Sequence, residues 1–216
     1  MIARIYRWLL RLASAPGEKG EYSGGYLQDR IRKEALALCH NAKGRLLEIG
    51  CGEGLFLAQI TEKNRKLEVW GVDNNNERLK AAALRLRSIN LSHQDAAKLS
   101  FEDGYFDTVI CVNVLFNMRS LEEVKRVIKE MKRICKRDGS MIFDFRNSLN
   151  PLLSIKYRLA RYYDDTLKGL PLKTYSPKEI ESVLKELGMA AVKERFIGFN
   201  SRFLAAAIVV EAKATW

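Results

Sequence analysis

Proline and histidine are scarce in this chain, with 4 Pro and 2 His in 216 residues. Because Gly and Pro do not cluster, no stretch has the composition of a flexible tether between two domains. The 4 cysteines, Cys39, Cys51, Cys111 and Cys135, form no CxxC pair, and only His40 and His93 are available to join them. Neither a zinc site nor a disulfide framework is therefore expected, and no metal ligand is assigned. Reduced thiols fit a cytoplasmic protein. No window approaches about 18 consecutive apolar residues, which excludes a membrane-spanning helix. At the N-terminus, Arg7 and Arg11 bracket an apolar run of only Trp8, Leu9 and Leu10. That run is too short for a signal-peptide core, so no cleavage is expected.

What is present is a globular balance, 47% hydrophobic and 29% charged residues, at a length suited to one domain with a short extension. The formal net charge of +11 is dispersed: residues 1–33 carry +4, 119–139 +4 and 166–216 +3, whereas 88–118 carry −3. Such spreading raises attraction to anions in general without marking one nucleic-acid track.

Apolar runs alternate with helical patterns from residue 26 onward. Helices are expected over 26–41, 54–63, 76–87 and 121–136, with strands over 45–49, 67–72, 88–93, 106–112 and 140–145. In 121–136 the apolar Leu121, Val124, Val127, Ile128, Met131 and Ile134 recur at three- and four-residue spacing. Asp138-Gly139 is read as the stop between that helix and the next strand. Pro151 opens a further helix, and Ser176-Pro177 opens another as N-cap and first helical residue. Strands near 190–199 and 202–211, separated by Asn200-Ser201, must be antiparallel, because a parallel crossover needs about a dozen residues. This order predicts an α/β doubly wound sheet, seven-stranded and mostly parallel with one antiparallel strand, covered by helices on both faces.

The chemistry concentrates in Leu46-Leu47-Glu48-Ile49-Gly50-Cys51-Gly52-Glu53-Gly54, where the first strand turns into its helix. Ligands of open parallel sheets bind at such strand ends. Leu55 stands where a dinucleotide fingerprint needs its next small residue, and no Gly-Lys-Ser/Thr ending makes a phosphate loop. Glu48 places an anion at the loop, which suits a ligand with a cationic end. Asp73 closes the second strand; taken alone, it has a competing reading as the cap of the helix beginning near Asn76.

These residues resemble the class I S-adenosylmethionine-dependent methyltransferases, small-molecule or lipid type and similar to the ubiquinone/menaquinone branch. Their first motif reads acidic–apolar–Gly-x-Gly-x-Gly, as in Glu48 to Gly54. The likeness continues through Val72-Asp73-Asn74 and through the Asp95-Ala96…Leu99…Phe106-Asp107 segment. The resemblance implies a Rossmann-like fold and S-adenosyl-L-methionine as cofactor. It implies that Glu48, Gly50, Cys51, Gly52 and Gly54 form the cofactor loop and that Asp73, with Asn74 beside it, accepts the ribose hydroxyls. It further implies that Asp95 and Ala96 meet the adenine, and that Asn113 and Val114 lie beneath the methionine portion. Many members carry a His pair after the fourth strand, whereas this chain has Phe116-Asn117. No catalytic residue is assigned, because methyl transfer needs a base only when the nucleophile must lose a proton.

Tyr22 and Tyr26 flank flexible glycines in a segment suited to cover the cofactor. Arg146 and Asn147 follow the fifth strand, and Tyr157 stands on the helix opened by Pro151; with Tyr26 they form the candidate substrate set. Residues 1–41 are read as a helical extension or lid and 42–216 as the catalytic domain, with a helical insert over 151–175. In 1–13, Arg4, Arg7 and Arg11 share one stripe opposite Ile2, Ile5, Leu9 and Leu12. That pattern fits either a lid packed on the domain or a peripheral contact with a membrane surface. The expected acceptor is a small molecule, a lipid or a lipid-linked glycan. The alternatives are an RNA methyltransferase and a non-catalytic cofactor-binding scaffold. Nucleic acid is the weaker partner, because no Asn/Asp-Pro-Pro-aromatic motif or Pro-Cys nucleophile is present.

Overall fold

The computed structural model describes residues 26–86, 89–160 and 171–215. Strands β1 (Arg45–Ile49), β2 (Glu68–Asp73), β3 (Asn90–His93), β4 (Phe106–Cys111), β5 (Cys135–Arg146), β6 (Met189–Ile197) and β7 (Ala207–Ala214) form one sheet. Its order is β3-β2-β1-β4-β5-β7-β6. β7 runs antiparallel to both β5 and β6, and the other pairings are parallel. The described helices are α1 (Tyr26–Leu38), α2 (Leu55–Lys63), α3 (Asn76–Arg85), α4 (Leu121–Ile134), α5 (Pro151–Ala160) and α6 (Pro177–Glu186).

Strand alternation sorts the core into two layers. Leu47 and Ile49 of β1 face one side, packing with Val124, Val127 and Ile128 of α4 and with Ile180 and Val183 of α6. Leu46 faces the other side, among Ile31 and Ala35 of α1, Phe56 and Leu57 of α2, and Ala82 of α3. Glu48 shares the parity of Leu46, so it points toward α1 rather than α4. Helix α6 begins as its sequence demands: Ser176 and Glu179 form a reciprocal capping box with Pro177 at the start.

The 94–105 segment between β3 and β4 is turns, held by Arg133 of α4, which donates to the carbonyls of Leu99 (2.9 Å) and Phe101 (2.8 Å). Two local expectations change. Strand β5 starts at Cys135, not at 140, because Asp138-Gly139 sits in an irregularity of the strand rather than at a helix end. Added at Gly139, a Cβ would lie 2.8 Å from the Asp107 carbonyl oxygen, so the close approach requires glycine. Finally, Asn200-Ser201 is not a tight hairpin turn. Residues 198–206 form a longer loop whose carbonyls are bound by Asn147 and Asn150 instead of a partner strand.

Candidate active site

The glycine loop leaves β1 between β2 and β4, the strands on either side of it in the sheet. The backbone N–H groups of Gly50 and Cys51 both donate to the Val72 carbonyl, at 2.7 and 2.9 Å, which ties the loop to the end of β2. Gly50 has φ +73°, and a Cβ there would lie 2.3 Å from Cγ2 of Val114. Gly54 has φ +75° as it opens α2, and its Cβ would meet Leu86 at 2.4 Å. Both positions combine a left-handed backbone with contact too close for any side chain.

Asp73 is buried at the carboxyl end of β2. One carboxylate oxygen accepts from the Gly52 N–H (2.8 Å) and the other from the Asn75 N–H (2.9 Å). It does not cap α3: Asn75 does, accepting from the N–H groups of Glu77 and Arg78 at 3.0 and 3.1 Å. With one bond on each oxygen, Asp73 retains acceptor capacity on both. Asn74 beside it is exposed, and its carbonyl lies 3.0 Å from His93 Nε2. Asp95 is exposed, and its Oδ1 accepts from the Ala97 N–H at 2.9 Å, with half-buried Ala96 between them.

Glu48 is buried against Arg32 of α1, and among the described residues its Oε2 has no hydrogen-bond partner. Its pKa is pushed up to about 8, chiefly by burial; Arg32 opposes the rise and Asp73 adds to it. Glu48, Gly50, Gly52 and Asn113 line a cleft with Leu55, Phe56, Arg78 and Val112. Cys51 lies there too, its thiol held protonated mainly by burial. A buried carboxylate with an oxygen still to be satisfied is a receptor for a cationic donor.

On the far side of the cleft, Asn113 takes φ +60°, which Asn tolerates better than most residues. Its N–H donates to Asp144 Oδ1 (2.5 Å), its Oδ1 accepts from Arg146 (2.9 Å), and its Nδ2 donates to the Gln28 carbonyl of α1 (3.3 Å). Arg146 is fully buried; it pairs with Asp144, donates from Nε to the Tyr157 hydroxyl (3.0 Å) and lies 4.6 Å over the Phe116 ring. Burial raises the Asp144 pKa, against the pull of Arg146 and the Asn113 N–H.

The structure thus brings Glu48, Gly50, Cys51, Gly52 and Asn113 to one cleft, with Gly54 and Asp73 bonded or packed behind the same loop. Arg146 and Tyr157 join Asn113 through one buried network. Asn147 does not join them, contrary to its place in the substrate set. It is buried, donating to the carbonyls of Arg202 (2.9 Å) and Ala205 (3.0 Å) and accepting from Leu149 (3.1 Å), so its polar atoms serve the 198–206 loop. Tyr22 lies outside the described residues, and so does the side chain of Tyr26. Sequence reasoning missed Arg32 and Asp144. Asp144 had a signal, a lone acid in an apolar strand two residues before Arg146 and hence on the same strand face.

Residues 47–143, from β1 to β5, match the family described as "Methyltransferase domain". A phosphatidylethanolamine N-methyltransferase of Cereibacter sphaeroides is 29% identical over 150 residues, covering 66% of this chain and 71% of that protein. An uncharacterized protein of Methanocaldococcus jannaschii is 33% identical over 157 residues, 71% of this chain and 68% of that one. The demethylmenaquinone methyltransferase of Thermotoga maritima is 30% identical over 98 residues, and the match spans 42% of its length. Among solved structures, a SAM-dependent methyltransferase from Methanosarcina mazei shares the fold with TM-score 0.68 at 20% identity, over 83% of this chain and 98% of that one. A glycine loop closed by acids, in this strand order and with these relatives, places the chain in the class I S-adenosylmethionine-dependent methyltransferases.

Proposed function

We propose that this methyltransferase acts on a lipid or other small-molecule acceptor, and that the two carboxylates around the glycine loop hold its cofactor. The observation that carries the cofactor reading is Glu48, whose buried Oε2 is without a partner among the described residues and faces a cleft built from the glycine loop. The donor set fits S-adenosylmethionine: a cationic amino group suits Glu48, and a diol suits Asp73, which has acceptor capacity left on each oxygen. Asp95 and Ala96 would border the base, and Asn74 would stand beside the ribose. Asn113 and Val114 would border the methionine portion, and the cover would come from Tyr22 and the remainder of 1–41. When bound, the cofactor supplies a methyl group already activated by its sulfonium.

The chain's own residues then have two tasks, orientation and exclusion of water. Holding reactants in line contributes up to about 7–11 kcal/mol in well-oriented systems. Here the Asn113–Asp144–Arg146 network fixes one wall of the cleft, and Tyr157 presents its hydroxyl from α5. That hydroxyl accepts from Arg146, leaving its own proton to donate to an acceptor oxygen or nitrogen. No general base is assigned. The acceptor class rests on the names of relatives that methylate phosphatidylethanolamine and demethylmenaquinone.

The reading is tested in two stages. Calorimetric titration with S-adenosylhomocysteine is expected to show micromolar binding in the wild type and none in folded Asp73→Ala. Transfer from methyl-labelled S-adenosylmethionine into a cell extract should then label the organic-solvent fraction. Label confined to RNA would overturn the acceptor class and leave the cofactor site standing.

A further inference from the structure

Eight large apolar side chains are exposed among the described residues, and six of them, Leu149, Leu152, Ile155, Phe199, Phe203 and Leu204, belong to α5, the turn that leads into it and the 198–206 loop, at 45–70% exposure. They come from segments far apart in sequence. Asn147 donates to the Arg202 carbonyl at 2.9 Å and Asn150 donates to the Leu204 carbonyl, which sutures the loop to the start of α5. Leu152 and Ile155, three residues apart, share the outer face of that helix, while Leu153 is buried beneath them. An apolar patch gathered in this way marks an interaction site.

Its place in the fold indicates the occupant. Arg146 at the end of β5 pairs with Ala207 at the start of β7, so the patch lies at the same sheet edge as the glycine loop and Asn113. Helix α5 is shared between the two: Tyr157 turns inward to Arg146, and Ile155, two positions earlier, turns outward. The charge of the two segments has one sign. Residues 147–160 contain Lys156 and Arg158 and no acid, and residues 198–206 contain Arg202 and no acid. Arg202 is paired, to Glu181 and Glu194, so the cationic contribution comes from the +11 net charge of the whole chain. Apolar side chains exposed on a strongly basic protein are complementary to the surface of an anionic bilayer.

We propose that α5 and the 198–206 loop dock the enzyme on an anionic membrane with the mouth of its site toward the lipid. This deepens the lipid branch of the proposed function and rests on it. Docking through this patch presents the inner face of α5, with Tyr157 and Arg146, to an acceptor still anchored in the bilayer.

The test uses the full chain carrying one environment-sensitive thiol label, at Leu152→Cys, Phe203→Cys or, as control, Leu84→Cys. Leu84 is apolar and 85% exposed on α3, away from the patch. The described native cysteines are all buried, so labelling is selective. With vesicles of phosphatidylglycerol and phosphatidylcholine, the labels at 152 and 203 are expected to shift to the blue and the label at 84 to stay unchanged. Pure phosphatidylcholine should give at least about tenfold weaker partition. The doubly substituted Leu152→Ser/Phe203→Ser chain should lose about tenfold in partition while binding S-adenosylhomocysteine as the wild type does. Vesicle binding with no shift at 152 or 203 would overturn the proposal, as would no vesicle binding at all. So would a shift that needs no vesicles and grows with protein concentration, which would assign the patch to a second copy of the chain. Label transfer to detergent-dispersed lipid, measured in parallel, separates failure of docking from failure of the acceptor reading.

Discussion

The Glu48 carboxyl controls the most local chemistry in the site. Burial pushes its pKa up to about 8, so near neutral pH the ligand-free protein holds it mainly protonated. A cation arriving at Oε2 stabilises the carboxylate and pulls that pKa down. Binding of S-adenosylhomocysteine should therefore release a proton between the ordinary carboxylate range and pH 8, and affinity should rise with pH across that window. Titration in buffers of different ionisation enthalpy measures the release directly, and Glu48→Gln should abolish it; a wild-type enthalpy indifferent to buffer would remove Glu48 from the cofactor site. The same shift has a folding consequence of opposite sign. A raised folded-state pKa means the native state binds the extra proton, so its contribution to stability is full below about pH 4.5 and is lost as pH rises through 8. At Gly50 the effect is steric: with φ +73° and Val114 Cγ2 2.3 Å from a new Cβ, Gly50→Ala should cost about 2 kcal/mol or more and open the loop. Urea unfolding measures the first, and loss of S-adenosylhomocysteine binding the second. These residues were legible in the sequence because their spacing is contiguous. Arg32 was not, since a buried arginine on an amphipathic helix looks like any solvated one until α1 is packed on the sheet.

Among the elements, the strand–helix alternation and the single antiparallel strand were readable from apolar runs and loop length. What the sequence hid was where backbone groups find partners when no ladder supplies them. The 94–105 connection and the 198–206 loop both depend on side chains reaching from elsewhere. Arg133 binds the carbonyls of Leu99 and Phe101 and pairs with Asp103 and Glu130. Asn147 performs the same task for the loop between β6 and β7. Periodicity locates the helix that carries Arg133 but not the carbonyls it will meet. Asn147→Ala strands buried carbonyls and should destabilise the fold by about 2–3 kcal/mol in urea unfolding. If the loop is sutured as the hydrogen bonds indicate, hydrogen exchange should rise over 198–206 and at the start of α5 together. Exchange rising in only one of the two would show that they are not one unit. Tyr157→Phe removes the acceptor of the Arg146 Nε–H without touching the glycine loop. It should raise the KM for the acceptor while leaving S-adenosylhomocysteine affinity unchanged, a split that general loss of structure would not give.

For the molecule as a whole, the argument turns on how a net charge of +11 and one apolar patch divide their labour. The charge is spread over several segments, so it sets a long-range field rather than a local contact, and a field of that kind is screened by salt. The Debye length falls from about 10 Å at 0.1 M salt to about 3 Å at 1 M. The apolar patch acts at contact and keeps its strength as salt rises. Cofactor binding relies on buried carboxylates and backbone geometry, which salt screens least. Raising NaCl across that range should therefore lower partition onto anionic vesicles about tenfold and slow methyl transfer to an acceptor carried in them. The affinity for S-adenosylhomocysteine should change by less than about threefold. Restoring the vesicle concentration that gives equal bound protein should restore the rate, because the site is unaffected and only delivery to the surface has changed. A rate that stays low at equal bound protein would mean that salt acts on the site, and the separation between docking surface and cofactor cleft would not stand. Flotation, calorimetry and labelled-methyl transfer on one preparation read the three quantities side by side.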